Sequence, residues 1–320
     1  MKVVFIVNPK AGKGSAKEKL IETLEHVIAG SQQNAEIYIT KCLGDATRFV
    51  SEFCETNGGA RFIACGGDGT LSEVLNGVMG CYGAEVGVLP VGSGNDFCRN
   101  FSSETDFSDI LLQITAEAVP CDAIRYTTVL NGVETTGYCA NMFNIGFDCR
   151  VADTTNGLKK NTVFGGSFAY ILAIFMELFQ KKTTHLTVTA DHRELFSGEA
   201  LLTSVANGKY CGGGIMSNPM ASLTDGNVNF NVIKNISRGH FLSLLPSYMK
   251  GTHLGIKGIE QVILSGHCKT LTVTPENGTM RLCIDGEIIT AGETTFEVVP
   301  AAFRLVLPTI VSRKADAVVL

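Results

Sequence analysis

Through roughly its first 120 residues the chain repeats one rhythm: a short apolar run, a turn rich in glycine, then a helical pattern. The apolar runs are "KVVFIVN" (2–8), "AEIYIT" (35–40), "RFIACG" (61–66) and "EVGVLPVG" (85–92). Between the first two, "SAKEKLIETLEHVIAG" (15–30) sets Leu20, Ile21, Leu24, Val27 and Ile28 on one helical face, with Gly30 as its stop. Further helices are expected from about Asp45 to Thr56 and from about Leu71. Strand, helix, strand in this order demands parallel pairing through right-handed crossovers. Such a sheet gathers its loops at the strand C-termini, the edge where ligands bind.

After about Cys121 the texture changes to alternating strands and turn signals. "DAIRYTTVLNGVETTGYCANM" carries a hairpin-like Asn131-Gly132, "HLTVTADHRELFSGEALLTSVANG" alternates polar and apolar residues, and "KTLTVTPENGTMRLCIDGEII" turns at Asn277-Gly278. The expected fold is an α/β N-terminal domain with a parallel sheet, residues 1–122, followed by an antiparallel β-rich domain, residues 123–320. The tail "VSRKADAVVL" is free to pack back on the first domain.

A chain of 320 residues with 45% hydrophobic content can bury two such cores, and its net charge of −5 argues against a nucleic-acid surface. The eleven cysteines are odd in number, with no C-x-x-C pair, which reads as free, mostly buried thiols in a reducing cytoplasm. The N-terminal apolar run of five residues is too short for a signal peptide. "VFGGSFAYILAIFMELF" (163–179) is strongly apolar, but Glu177 and Gly165-Gly166 favour a buried or membrane-touching helix over a span.

Three glycine-rich turns follow strands of the first domain: "NPKAGKG" (8–14), "GGDGT" (66–70) and "PVGSGNDF" (90–97). Glycine lets backbone approach a phosphate, and the helix that follows offers N–H groups and a favourable dipole. An acid at Asp68 would repel that phosphate unless a cation lay between, so Asp68 points to a magnesium-bound nucleotide. Each loop alone is also an ordinary tight turn, and "NPKAGKG" lacks the Walker spacing.

Taken together and in order, "VNPKAGKG", "ACGGDGTLSEVLNGV", "LPVGSGNDFCRN", "NIGFD", "VANGKYCGGG", "LTDG" and "CIDGE" resemble the diacylglycerol kinase-like lipid kinases, a family that includes sphingosine kinases. The resemblance covers nearly the whole chain. It implies a fold related to NAD kinases, with ATP held between glycine loops of the first domain and the lipid acceptor taken by the second. Asn8, Pro9, Lys10, Ala11 and Gly12 would form the first nucleotide loop. Gly66, Gly67, Asp68, Gly69, Thr70, Leu71 and Ser72 would wrap the phosphates, while Thr40 and Ser93 match nucleotide-contacting hydroxyls. Ordinary capping explains Thr40 and Ser93 nearly as well, and Lys10 and Lys13 neutralise phosphate only if they are more than surface lysines.

A kinase must also orient and deprotonate the acceptor hydroxyl, a task for a carboxylate. The resemblance assigns it to the "DGE" motif, with Glu287 ahead of Asp285. By pattern alone the two acids share a face if the segment is a strand and part company if Gly286 bends it, and a solvated hairpin would equally carry them. Asp96 and Asp122 match acids that the family gathers near the active site, although by themselves they read as a helix cap and a turn residue. The resemblance also implies a separate structural magnesium at Ser222, Asp225 and Asn227, the outer two offering main-chain carbonyls, where Thr224 and Asn229 replace the usual acids.

The implied activity is ATP- and Mg2+-dependent phosphorylation of a membrane lipid, with diacylglycerol the leading acceptor. Sphingosine-like lipids and phosphatidylglycerol are alternatives, as are an NAD kinase and an inactive lipid-binding regulator. A cytoplasmic protein with transient contact at the inner membrane face follows, the lysines of "GLKKN" (157–161) and "QKK" (180–182) suiting anionic headgroups. A homodimer is compatible with the same family.

Overall fold

The computed structural model describes residues 1–12, 16–31, 33–147, 149–151, 153–155, 173, 177 and 183–309. The chain forms two compact units, Met1–Cys121 joined by the chain from Ala301 onward, and Asp122–Pro300. Most of the apolar segment 163–179, its lysine flanks, Lys13 and the tail from 310 lie outside the described residues.

In the first unit β1 (Val3–Val7), α1 (Ala16–Ser31), β2 (Ala35–Ile39), α2 (Asp45–Asn57), β3 (Arg61–Gly66), α3 (Asp68–Val78), β4 (Glu85–Pro90) and α4 (Ile110–Thr115) follow one another. The sheet is parallel in the order β2–β1–β3–β4, and the end of the chain's last strand (Thr294–Val306) adds beside β4, with Leu305 opposite Val86. Every residue of β1 and β3 is buried, as helices on both faces of a parallel sheet require. Leu20, Leu24, Val27 and Ile28 of α1 pack on Phe5, Ile63 and Cys65, so the apolar stripe faces the core.

Burial next to charge is handled by pairing. Arg61 and Glu85 are direct neighbours across β3 and β4, their side chains 2.6 Å apart, and Arg61 also donates to the carbonyls of Gln113 and Ile114 at the end of α4. The cysteine expectation is corrected at one pair. Cys54 at the end of α2 and Cys81 just past α3 form a disulfide, because the two helices lie side by side and bring their Cα atoms to 5.9 Å. Among the described residues the other nine cysteines are free, seven of them buried.

The second unit comprises most of β5 (Ala118–Leu130), then β6 (Val133–Cys139), β7 (Met142–Gly146), β8 (Thr184–Ala190), β9 (Arg193–Ala206), β10 (Val228–Lys234), α5 (Arg238–Met249), β11 (Ile263–Cys268), β12 (Thr270–Pro275), β13 (Met280–Ile284), β14 (Glu287–Ala291) and the start of β15 (Thr294–Val306). Antiparallel neighbours run β14–β13–β7–β9–β8–β12–β15, and β10 pairs with β9 and β11. Phe143, Phe230 and Phe296 anchor one buried cluster; Phe147, Phe241 and Tyr248 belong to another that includes α5.

Three two-residue turns close hairpins with both central residues in the left-handed region: Asn131-Gly132, Asp191-His192 and Asp285-Gly286. The turn at Asn277-Gly278 behaves differently. Gly278 N–H donates to Pro275 O, but β12 pairs with β8 and β15 while β13 pairs with β7 and β14, so the turn parts two strands instead of pairing them. No helix among the described residues is long and apolar enough to cross a membrane.

Candidate active site

The three glycine turns of the first unit follow β1, β3 and β4, and parallel pairing brings them together at one end of the sheet. Asn8, just past β1, donates from Nδ2 to Thr70 Oγ1 and accepts Lys10 N–H on its own side-chain oxygen. Gly66 O accepts N–H groups of both Val91 and Gly92. A Cβ on Gly92 would lie 2.5 Å from Gly67 Cα, and one on Gly66 would lie 2.1 Å from Thr70 Oγ1. Between Gly92 and Gly67 backbone meets backbone, which only glycine permits, and Gly66 leaves room for the Thr70 side chain.

Helix α3 starts at Asp68, three residues before the apolar pattern begins at Leu71, because Gly67 O already accepts Thr70 N–H and Leu71 N–H. Asp68 therefore stands in a first helical turn, where its charge offsets the helix dipole. Its Oδ2 accepts Asp96 N–H and its Oδ1 accepts Phe97 N–H, at 3.2 and 3.1 Å. The acid of "GGDGT" is a staple between the loops after β3 and β4. The carboxylate still has lone pairs with which to meet a cation. Beside it, the Cys98 thiol is pushed up to about 12 by burial, with the Asp68 charge adding.

Other sequence candidates fall into place around this staple. Thr40 is buried and donates both its N–H and its hydroxyl to Val7 O, closing the end of β2 on β1. Leu71 turns its side chain to the core, Lys10, Gly12 and Ser93 are exposed, and Pro9, Ala11, Gly69 and Ser72 are half-buried. Asp96 is buried, its carboxylate 3.5 Å from the Arg99 guanidinium. Asn95 was not singled out by sequence. It sits at φ 52°, and its Oδ1 is a buried acceptor with no partner among the described residues, wedged against Gly92 and Gly67.

These features fit a nucleotide: a cradle that a Cβ would fill, N–H groups at the start of α3, and an orphaned acceptor. Magnesium at Asp68 would draw its remaining oxygens from nucleotide phosphates and water, since no group of three or more His, Cys, Asp or Glu among the described residues is arranged to hold a metal.

In the second unit, Asp285 and Gly286 are the two turn residues between β13 and β14, at φ 46° and 96°. Gly286 does bend the motif, so the two acids do not share a strand face. Asp285 Oδ1 accepts Met142 N–H, Oδ2 accepts the Cys139 thiol, and its own N–H donates to Met142 O. That carboxylate is built into the turn. Glu287 opens β14 opposite Ile284 and is exposed. Tyr126 was also missed: Gly137 lies directly across from it, and a Cβ there would stand 2.6 Å from the phenol oxygen. Burial pushes the Tyr126 phenol up, and Cys139 and the Glu287 carboxylate add to this. The Cys139 thiol is raised well above its ordinary value by burial, then by Asp285.

Asp122 accepts Gly226 N–H on Oδ2 at 2.7 Å and donates its own N–H to Leu223 O, so it braces the 223–227 loop. Ser222, Asp225 and Asn227, the residues expected to hold a magnesium ion, lie in and beside this loop. Asp225 Oδ1 accepts Asn227 N–H and Asp225 O accepts Asn227 Nδ2, while the second carboxylate oxygen and the main-chain carbonyls of Ser222 and Asn227 are the atoms that would meet the ion, with water completing its shell.

Residues 2–126 match the diacylglycerol kinase catalytic domain, and residues 141–307 match the YegS C-terminal NAD kinase beta sandwich-like domain. A Pseudomonas aeruginosa protein named "Probable lipid kinase YegS-like" is 30% identical over 83% of this chain and 82% of its own. A Mycobacterium tuberculosis diacylglycerol kinase is 25% identical over 96% and 95%. A crystal structure of a diacylglycerol kinase from Bacillus anthracis superposes with a TM-score of 0.67 over 96% of each chain at 22% identity, a likeness of fold.

Proposed function

Because the chain belongs to the diacylglycerol kinase-like family of lipid kinases and is therefore a phosphotransferase, we propose that it carries the γ-phosphoryl group of Mg-ATP to a lipid hydroxyl, converting diacylglycerol to phosphatidic acid. The observation that carries the nucleotide half is the approach of Gly92 to Gly67, held by the Asp68 staple. Two loops pressed backbone to backbone leave main-chain groups as their ligand-facing surface, which suits phosphate oxygens.

In this assignment Asn8 and Thr70 order the first two loops, Asp68 fixes the third and meets the nucleotide's metal, and Asn95 Oδ1 accepts a donor from the ligand. Bound magnesium supplies charge neutralisation at the phosphates. The acceptor oxygen forms a bond to the γ-phosphorus as the bond to the β-phosphate oxygen breaks, and the hydroxyl proton passes to Glu287. Glu287 is preferred over Asp285 because it is exposed, whereas the Asp285 carboxylate holds the turn. A bilayer acceptor requires peripheral contact with the membrane surface.

The test is to incubate purified protein with labelled ATP and Mg2+ beside separate vesicle or micelle preparations of diacylglycerol, a sphingosine-like lipid and phosphatidylglycerol, and beside NAD. Label in phosphatidic acid is expected. Label in NAD alone overturns the assignment, and label in another lipid alone overturns the choice of acceptor.

A further inference from the structure

The second unit holds a cavity of about 120 Å³, lined by β10, β11, the 218–221 segment and Leu254. Cross-strand register sets it apart from the acid proposed to act on the acceptor. Phe230, Val205, Phe143, Ile284 and Glu287 are successive partners across β10, β9, β7, β13 and β14, so their side chains share one face of the sheet. Asn229 and Asn231 stand on either side of Phe230 and belong to the opposite face.

Three asparagines line the cavity, and two of them are tied to their surroundings. Asn231 Nδ2 donates to Ser217 O and to Asn218 Oδ1, and Asn218 Nδ2 donates to Ser204 Oγ. These bonds hold both side chains as fixed wall. Asn229 is different: it is only 6% exposed, and its Nδ2 is buried with no hydrogen-bond partner among the described residues. Leaving a buried donor unmatched is costly, so the site gains when an acceptor oxygen arrives. Opposite Asn229 and Asn231 across β11 stand His267 and Ser265, both exposed, which add an imidazole and a hydroxyl to the lining.

Charge narrows the class of occupant. No Asp, Glu, Lys or Arg is among the described residues that line the cavity, so an ion entering it would shed water with no countercharge to replace it. An uncharged oxygen loses far less, and a hydroxyl can donate to Ser265 or His267 as well as accept from Asn229. Pro219, Met220 and Leu254 offer apolar surface to a short carbon skeleton. The volume has room for several water-sized groups.

We propose that this cavity binds a small uncharged alcohol or diol, whose oxygen accepts the Asn229 Nδ2 hydrogen bond while its carbons lie against Pro219, Met220 and Leu254. Nothing in this site involves nucleotide or lipid, so it stands or falls apart from the proposed activity.

The test is an NMR titration of full-length protein with 1,2-propanediol, and separately with acetate and with ethylammonium, following the amides of residues 218–221, 229–231 and 265–267. Saturable shifts confined to these residues are expected with the diol, with a Kd on the order of millimolar, as so few heavy atoms allow. Either ion should bind at least about tenfold more weakly. Asn229→Ala removes the donor and should weaken diol binding about tenfold, the worth of one hydrogen bond. Leu254→Trp fills the cavity and should abolish binding even where Asn229→Ala fails to fold. Diol shifts that do not saturate mean a cavity holding water alone and overturn the inference. So does wild-type affinity in Leu254→Trp, or an ion that binds as tightly as the diol.

Discussion

Asp68 in "GGDGT" and Asp285 in "IDGEI" look alike as sequence, an acid set against glycine at the end of an apolar run, yet they are placed by different means. Asp68 lies in the first turn of a helix, and its two oxygens hold the amides of a loop 28 and 29 residues away. Asp285 lies in a left-handed turn, and its oxygens hold a thiol and an amide more than 140 residues away. In both motifs the acid beside the glycine shapes its own loop or turn. The second motif carries another acid, Glu287, which is exposed at the strand's start. Burial and local geometry separate residues that composition makes look alike.

The sharpest way to break that comparison is Glu287→Gln, which is expected to cut kcat by about 10²–10⁴-fold, the usual worth of a general base, with little change in ATP binding. Steady-state kinetics and nucleotide titration check it; normal turnover would move the base, with Asp285 next in line. Asp68→Ala comes second. Orphaning the two amides should cost about 1–3 kcal/mol in denaturant unfolding and abolish productive ATP use. Gly92→Ala forces a Cβ onto Gly67 Cα and should cost about 1–3 kcal/mol while weakening ATP binding, measured by titration.

Asp285→Asn should be mild, under about 0.5 kcal/mol, because Asn tolerates the left-handed turn and can still accept Met142 N–H. A loss of turnover as large as that of Glu287→Gln, with stability intact, would give Asp285 a chemical role as well. The smallest effect is on pH. His253 is fully buried against Tyr248, and burial holds its imidazole below the ordinary value near 6.5. The unfolded chain therefore takes up this proton first, so stability is complete above about pH 6.5 and declines as pH falls below it. His253→Gln should flatten the pH 7 to 5 limb of the unfolding free energy, leaving the lipid-kinase assay at neutral pH unchanged.

Much of this was legible before any coordinates. The β1 to β4 strands and the first three helices follow from apolar periodicity, and the Asn131-Gly132 hairpin announces itself, whereas the sequence left the bend at Asp285-Gly286 open and Asn277-Gly278 turns without pairing its flanking strands. The Asp191-His192 turn was not read, because two non-glycine residues at positive φ give a weak local signal. The start of α3 was set late, because the apolar stripe begins at Leu71 while the helix begins with the glycine loop itself. The Cys54–Cys81 bond depends on two helices packing side by side, which no local pattern announces.

The sequence by itself determined the two-unit α/β and β-rich plan, the glycine loops and the identity of the acids, since strand period, helix period and glycine's tolerance of positive φ are local properties. Only the tertiary structure decided what each acid and cation holds. Asp68 on the 96–97 amides, Asp285 on Cys139 and Met142, Asp122 and Lys269 on Gly226 are all pairings between residues far apart in the chain. Packing brings them together, and the cost of leaving a buried polar group unmatched then selects the partner.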